Sequence, residues 1–201
     1  PGGIDQLSVC SPGVLGYDAV PIYPGVSSVS YLRLTIASFL ALAAVLTMPA
    51  RATAGEPDFL ALSLGYYDMF DDMQAAEGRV EYRFDSEHKL LFFTPNIGFM
   101  ATSDGGTYGY GGIGVDIFLG RRVVMTPSFT VGIYGNGGGK DMGYPLEFKS
   151  GLEVAYRFDN YARLGLSFHH ISNAGLDERN PGEETLAVTL AVPMNVLFKG
   201  R

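Results

Sequence analysis

Eight runs of alternating side chains constrain this chain more than any other feature. Leu60, Leu62, Leu64 and Tyr66 alternate with Ala61, Ser63 and Gly65. Val80, Tyr82 and Phe84 alternate with Arg79, Glu81 and Arg83, and Leu91, Phe93, Ile97 and Phe99 with Phe92, Thr94, Asn96 and Gly98. The fourth apolar series is Ile113, Val115, Ile117 and Leu119, set against Gly112, Gly114, Asp116 and Phe118. The fifth is Val123, Met125, Pro127, Phe129, Val131 and Ile133. The last three are led by Leu152, Val154, Tyr156 and Phe158; by Leu164, Leu166 and Phe168; and by Leu186, Val188, Leu190 and Val192. Residues i and i+2 share one face of a strand, so each run has one apolar face and one opposite face. The opposite faces carry mostly Gly, Ala, Ser and Thr with some Arg and Glu.

A soluble sandwich puts its apolar face inside and long polar side chains outside. Small residues on the second face suit the narrow lumen of a small barrel whose apolar face meets lipid. The connections agree. Those after the second, fourth and sixth runs are short (residues 85–89, 120–122 and 159–161), whereas most of the others are longer and rich in Gly or Asp. Short turns at one end, longer loops at the other and an even strand count characterise outer-membrane barrels. The expected fold is therefore all-β, an eight-stranded antiparallel transmembrane β-barrel of the outer-membrane type. Phe198 shares parity with Leu190 and Val192, so the eighth strand is expected to run to Phe198, with three residues of tail.

Ahead of the runs lies one long apolar stretch, from about Leu34 to Ala50, preceded by Arg33 and followed by Ala50-Arg51-Ala52-Thr53-Ala54. A basic flank, an apolar core and small residues in an A-x-A pattern describe a secretory signal peptide. A spanning anchor is the other reading, and the stretch is slightly short for one. The expected organisation is residues 1–30 unstructured or upstream translation, 31–54 signal peptide and 55–201 the barrel, in a bacterial outer membrane. The single cysteine, Cys10, precedes the expected cleavage, so the exported part has no disulfide. A net charge of −7 without a basic run disfavours nucleic-acid binding.

The seventh run ends in His169-His170-Ile171-Ser172-Asn173-Ala174-Gly175-Leu176, with Asn180, Glu183 and Glu184 downstream. With the barrel's N-terminus in the periplasm, this run points outward. His170 and Ser172 then share the lipid-facing parity of Leu164, Leu166 and Phe168. Glu184 has the parity of Leu186, Val188 and Leu190 on the neighbouring strand. Three polar groups on an apolar stripe lose solvation unless they satisfy one another. Glu183 adjoins Glu184, but spacing and parity favour Glu184. His169 falls on the lumen side.

The set His170-Ile171-Ser172-Asn173-Ala174-Gly175-Leu176, then Asn180, Gly182 and Glu184, resembles the signature of the lipid A 3-O-deacylases, the PagL-type outer-membrane enzymes. Pro193 is similar to that family's ending, and Gly143-x-x-Leu146-x-Phe148 shows a weaker likeness. The resemblance implies an eight-stranded barrel with a serine hydrolase site facing lipid. It implies Ser172 as nucleophile, His170 as general base and Glu184 as the acid that orients His170. It also implies an oxyanion hole from the Asn180 side chain and the Gly175 N–H, with Asn173 among the substrate-binding residues. The implied reaction releases the ester-linked β-hydroxyacyl chain from the 3-position of lipid A in the outer leaflet, with neither metal nor organic cofactor. Membrane lipids are the remaining partner, and a homodimer stays open. Ile171 stands where an aromatic residue is familiar, a change expected to act on acyl packing. Two other functions compete: a non-enzymatic small barrel for adhesion or envelope structure, and a phospholipid esterase.

Two further patterns are decoys. Gly109-Tyr110-Gly111-Gly112-Ile113-Gly114 fits G-x-G-x-x-G, but a strand pattern rather than a helix start follows it. Asp68, Asp71 and Asp72 could hold a divalent ion, yet solvated loop acids are the simpler account.

Overall fold

The computed structural model describes residues 56–84 and 92–198. The proposed leader, Cys10 and the turn at 85–89 lie outside these residues. The strands are β1 (Phe59–Tyr67), β2 (Ala75–Arg83), β3 (Thr94–Thr102), β4 (Thr107–Gly114), β5 (Ile117–Leu119), β6 (Val123–Gly135), β7 (Leu146–Arg157), β8 (Arg163–Ser172) and β9 (Glu183–Pro193). Neighbours pair antiparallel, and β1 also pairs with β9, which closes the sheet. Both β4 and β5 pair with β6, so they are one barrel strand interrupted at residues 115–116. At the break Asp116 turns its carboxylate inward, accepting from Thr126 Oγ1 at 2.9 Å and Arg163 Nη2 at 2.9 Å. The barrel thus has eight antiparallel strands, as the alternation requires.

The faces fall as the parity predicts. Leu62, Leu64, Ile97, Phe99, Phe129, Val154, Leu166 and Val188 project outward and exposed. The lumen holds paired charges. Arg83 binds Glu81 (2.8 Å) and Glu153 (2.7 Å), and Arg79 donates to Ser167 Oγ at 3.1 Å. Lys149 Nζ sits 3.5 Å over the Tyr110 ring. Towards the end bearing the short turns, Arg163 binds both Glu56 (3.0 Å) and Asp116, and Arg157 reaches Glu56 at 2.8 Å. Charges inside a narrow barrel persist where they find such partners. Glu147 on β7, fully buried, is the exception among the described residues, with neither carboxylate oxygen hydrogen-bonded. Towards the end bearing the longer loops, Tyr67, Met100, Tyr108, Tyr110, Tyr134, Met142 and Ile171 form a buried cluster.

Two expectations need correction. The fourth strand begins at Thr107 rather than Gly112, so the connection from β3 is a tight turn over residues 103–106, closed by Thr102 N–H on Gly106 O at 2.8 Å. Its outward positions there are Gly109 and Gly111, which carry no apolar side chain to announce a strand, while Tyr108 and Tyr110 face inward. The stretch that mimics a dinucleotide loop is thus strand. At the other end, β9 stops at Pro193 and the chain turns into a short helix, α1 (Met194–Leu197), so Phe198 does not continue the strand. Proline has no N–H for the ladder, and the next amide, on Met194, donates to Asp58 O at 2.8 Å.

Leu64 is 77% exposed in mid-strand. A soluble barrel would accept a charge there, whereas a lipid-facing site at the bilayer midplane loses about 2–4 kcal/mol to arginine. Leu64→Arg is therefore expected to lower unfolding stability in bilayers by about that amount, measured by denaturant titration from lipid vesicles.

Candidate active site

Strand β8 ends at Ser172 and β9 begins at Glu183, so the segment singled out in the sequence forms the lip of the barrel at its loop end. The β8–β9 register sets His170 directly opposite Glu184, and the β7–β8 register sets Phe148 opposite Ser172 and Ser150 opposite His170. Successive residues alternate strictly. His169, Ile171 and Glu183 are buried in the lumen, while His170, Ser172 and Glu184 lie on the outer face.

His170 Nδ1 stands 2.9 Å from Glu184 Oε1, both side chains part exposed. A carboxylate that accepts the Nδ1 proton fixes the tautomer and leaves Nε2 as a lone-pair acceptor. Ser172 lines one shallow outer cleft with His170, Ser150, Ala174, Phe129 and Phe148. The two phenylalanine rings are stacked with centroids 6.0 Å apart. Among the described residues Ser172 and His170 are not hydrogen-bonded to each other, and such contacts commonly tighten only with substrate in place. Glu183 accepts from Thr185 Oγ1 at 2.8 Å inside the barrel, so the acid beside His170 is Glu184. His169 is a lumen residue, bridging Arg79 (3.1 Å) and Glu77 (3.3 Å).

The loop from β8 to β9 is organised by Asn173, whose side chain is fully buried. Its Nδ2 donates to Met142 O (3.0 Å) and Arg179 O (2.9 Å), its Oδ1 accepts from Gly175 N–H (2.9 Å), and its own N–H donates to Asn180 Oδ1 (3.0 Å). Asn173 therefore clasps the loop rather than facing the cleft. Holding Asn180 by its oxygen leaves the Nδ2 amino group as its free donor, on an exposed residue. The Gly175 N–H is occupied by Asn173, and both Ala174 (φ 55°) and Gly175 (φ 79°) are left-handed. The loop leans on the connection between β6 and β7. Gly143, at φ 89°, comes so near Arg179 O that an added Cβ would lie 2.1 Å from it, and Arg179 also pairs with Asp141. That hydrogen bond from the Arg179 guanidinium holds the Asp141 carboxyl below the ordinary aspartate range.

Two acids of the first loop, Asp68 and Asp71, serve structure, and Asp68 is fully buried rather than the solvated acid expected, because a lysine reaches it; Asp72 is exposed. Lys140 Nζ binds Asp68 at 2.5 Å and Asp71 at 2.8 Å. Burial opposes the ammonium, but these two hydrogen bonds hold its pKa above the usual lysine value.

The family described as lipid A 3-O-deacylase (PagL) matches residues 53–193. This chain belongs to that family. Its kin are outer-membrane β-barrel hydrolases that deacylate lipid A. The crystal structure of the outer membrane enzyme PagL is similar in fold, with a TM-score of 0.55 at 16% identity, covering 68% of this chain and 99% of the other. Neisserial surface protein A (NspA) has a TM-score of 0.50 at 8% identity, covering 68% and 97%. No curated protein sequence matches.

Against the PagL pattern, Ile171 needs a corrected role. It lies in the lumen beside the buried tyrosines, so it cannot touch an acyl chain on the outer face. The contacts of Asn173 with Met142 and Arg179 went unforeseen. Gly143, already part of the weaker family likeness, was their one sequence signal. Removing a buried hydrogen-bonding partner costs about 1–3 kcal/mol. Asn173→Ala is expected to speed amide exchange at Gly175 by about tenfold or more, read by hydrogen–deuterium exchange.

Proposed function

We propose that the protein is an outer-membrane serine esterase that hydrolyses the 3-O-linked β-hydroxyacyl chain of lipid A. The observation that carries this reading is the His170–Glu184 pair at 2.9 Å on the lipid face, aligned with Ser172 two residues along the same strand.

In this reading Glu184 accepts a hydrogen bond from the Nδ1–H of His170, which keeps Nε2 unprotonated and free to take the Ser172 hydroxyl proton as Oγ attacks the ester carbonyl. The Asn180 Nδ2 group donates to the oxyanion as charge develops. The Gly175 N–H joins it once released from Asn173 Oδ1, a local change at a left-handed glycine. Collapse returns the proton from Nε2 to the sugar oxygen at the 3-position, leaving the acyl group on Ser172. Water, activated by the same imidazole, then frees the β-hydroxy fatty acid and restores the serine. Stacked Phe129 and Phe148 beside the cleft give the acyl chain an apolar wall continuous with the lipid-facing stripe. An ester in the outer leaflet therefore reaches the serine without leaving the membrane.

Wild-type protein produced in an outer membrane should convert lipid A to a species lighter by one β-hydroxyacyl group, detected by mass spectrometry. Ser172→Ala and His170→Ala should leave lipid A unchanged. Asn180→Ala should lower the rate by about 10²–10³. Release from phospholipid but not from lipopolysaccharide would instead establish a phospholipid esterase. Intact lipid A with folded wild-type protein, and no ester released from either lipid, would leave the non-enzymatic barrel.

A further inference from the structure

Gly182 is the last residue before β9, and its backbone is left-handed at φ 68°. It is also buried. A Cβ built there would stand 2.9 Å from His170 Cε1 and 3.6 Å from His170 Nε2. Carbon atoms in contact ordinarily keep about 3.5–4.0 Å. Among the described glycines of positive φ, Gly182 is the one whose missing Cβ has a side-chain atom as nearest neighbour. Gly137 and Gly143 would meet backbone, and Gly120 and Gly175 would meet nothing within 4 Å. Turn geometry alone therefore accounts for Gly120, but not for the approach at Gly182.

We propose that Gly182 is a positioning residue for His170, its bare Cα forming the notch that receives the imidazole. The proposal rests on the role given to His170 above. The ring is fixed at three edges. Glu184 holds Nδ1, Gly182 abuts Cε1, and the strand backbone sets Cβ opposite Glu184. A methyl at Gly182 would press on the edge formed by Cε1 and Nε2. The imidazole can yield only by turning about its side-chain torsions, which pulls Nδ1 off the carboxylate or swings Nε2 away from Ser172. Because Gly182 and Glu184 are separated by one residue, the turn that starts β9 sets the carboxylate and the notch together. It thereby explains why glycine belongs at this place in the signature, as neither a nucleophile nor an oxyanion donor.

Gly182→Ala should be compared with Gly120→Ala, which imposes similar backbone strain (φ 78°) at a turn on the other end of the barrel. Both should fold, judged by heat-modifiable gel mobility and circular dichroism. With lipid A in detergent micelles, Gly182→Ala should lose roughly 100-fold in kcat, the scale of an ångström misplacement, with KM little changed, while Gly120→Ala matches wild type. In protein labelled with ¹⁵N-histidine, the downfield Nδ1–H signal of the His170–Glu184 bond should shift or vanish only in Gly182→Ala. A wild-type rate or an unmoved signal in Gly182→Ala would overturn the proposal. So would a Gly182→Ala barrel that fails to fold while Gly120→Ala folds, since Gly182 would then serve folding alone. If wild type releases no acyl chain, the esterase reading fails, and the Nδ1–H signal still decides the placement of His170.

Discussion

In hydrocarbon every backbone N–H and C=O must find a partner within the protein, and a closed ladder of strands is one of two ways to achieve this. The pairing of β1 with β9 is therefore the constraint on which the rest depends. Closure fixes the register, and the register fixes which side of each residue meets lipid. One step of slippage between β8 and β9 would bring Glu183 or Thr185 opposite His170 and turn the carboxylate of Glu184 away. A site assembled from two strands at matched parity is thus a property of the whole barrel, not of a local motif.

The lumen explains how such a thin shell stays rigid enough to hold that site. Arg79, Arg83 and Lys149 each face partners projected from other strands, Arg163 binds Glu56 just ahead of β1, and the tyrosine cluster caps them beneath the site. Charge pairs inside a barrel contribute little as net attraction, yet leaving one unpaired is costly, so they oppose any shift of one strand against another. Above the tyrosines, Asn173 transfers that order to the loops by tying the segment that carries Asn180 to Met142. The order runs from closed backbone to filled lumen to clasped loop, and the cleft lies at its outer surface.

Much of this was legible in the sequence because period-two alternation encodes orientation directly. The same rule that put Ser172, His170 and Glu184 outside put His169 and Glu183 inside, and the structure agrees at each position. Applied to Ile171, it places that side chain in the lumen, so an acyl contact there conflicts with the pattern that locates Ser172. Where alternation carried no apolar residue, at Gly109 and Gly111, the strand start was invisible. The end at Pro193 was missed because parity describes faces and says nothing of a lost ladder donor. The clasp by Asn173 depends on contacts between distant loops, which no local spacing records. The left-handed turn at Gly182 is similarly silent in sequence, since a glycine signals freedom but not the neighbour it admits.

The lipid A esterase reading requires above all a nucleophilic serine that faces the membrane at the seventh barrel strand. Labelling the lipid-embedded protein with a long-chain alkyl phosphonate ester, followed by peptide mass mapping, tests it most directly. One phosphonyl adduct per chain is expected, on Ser172, and it should no longer form when His170 is replaced by alanine. An active protein that carries its adduct on another residue, or that labels equally well without His170, would contradict that reading.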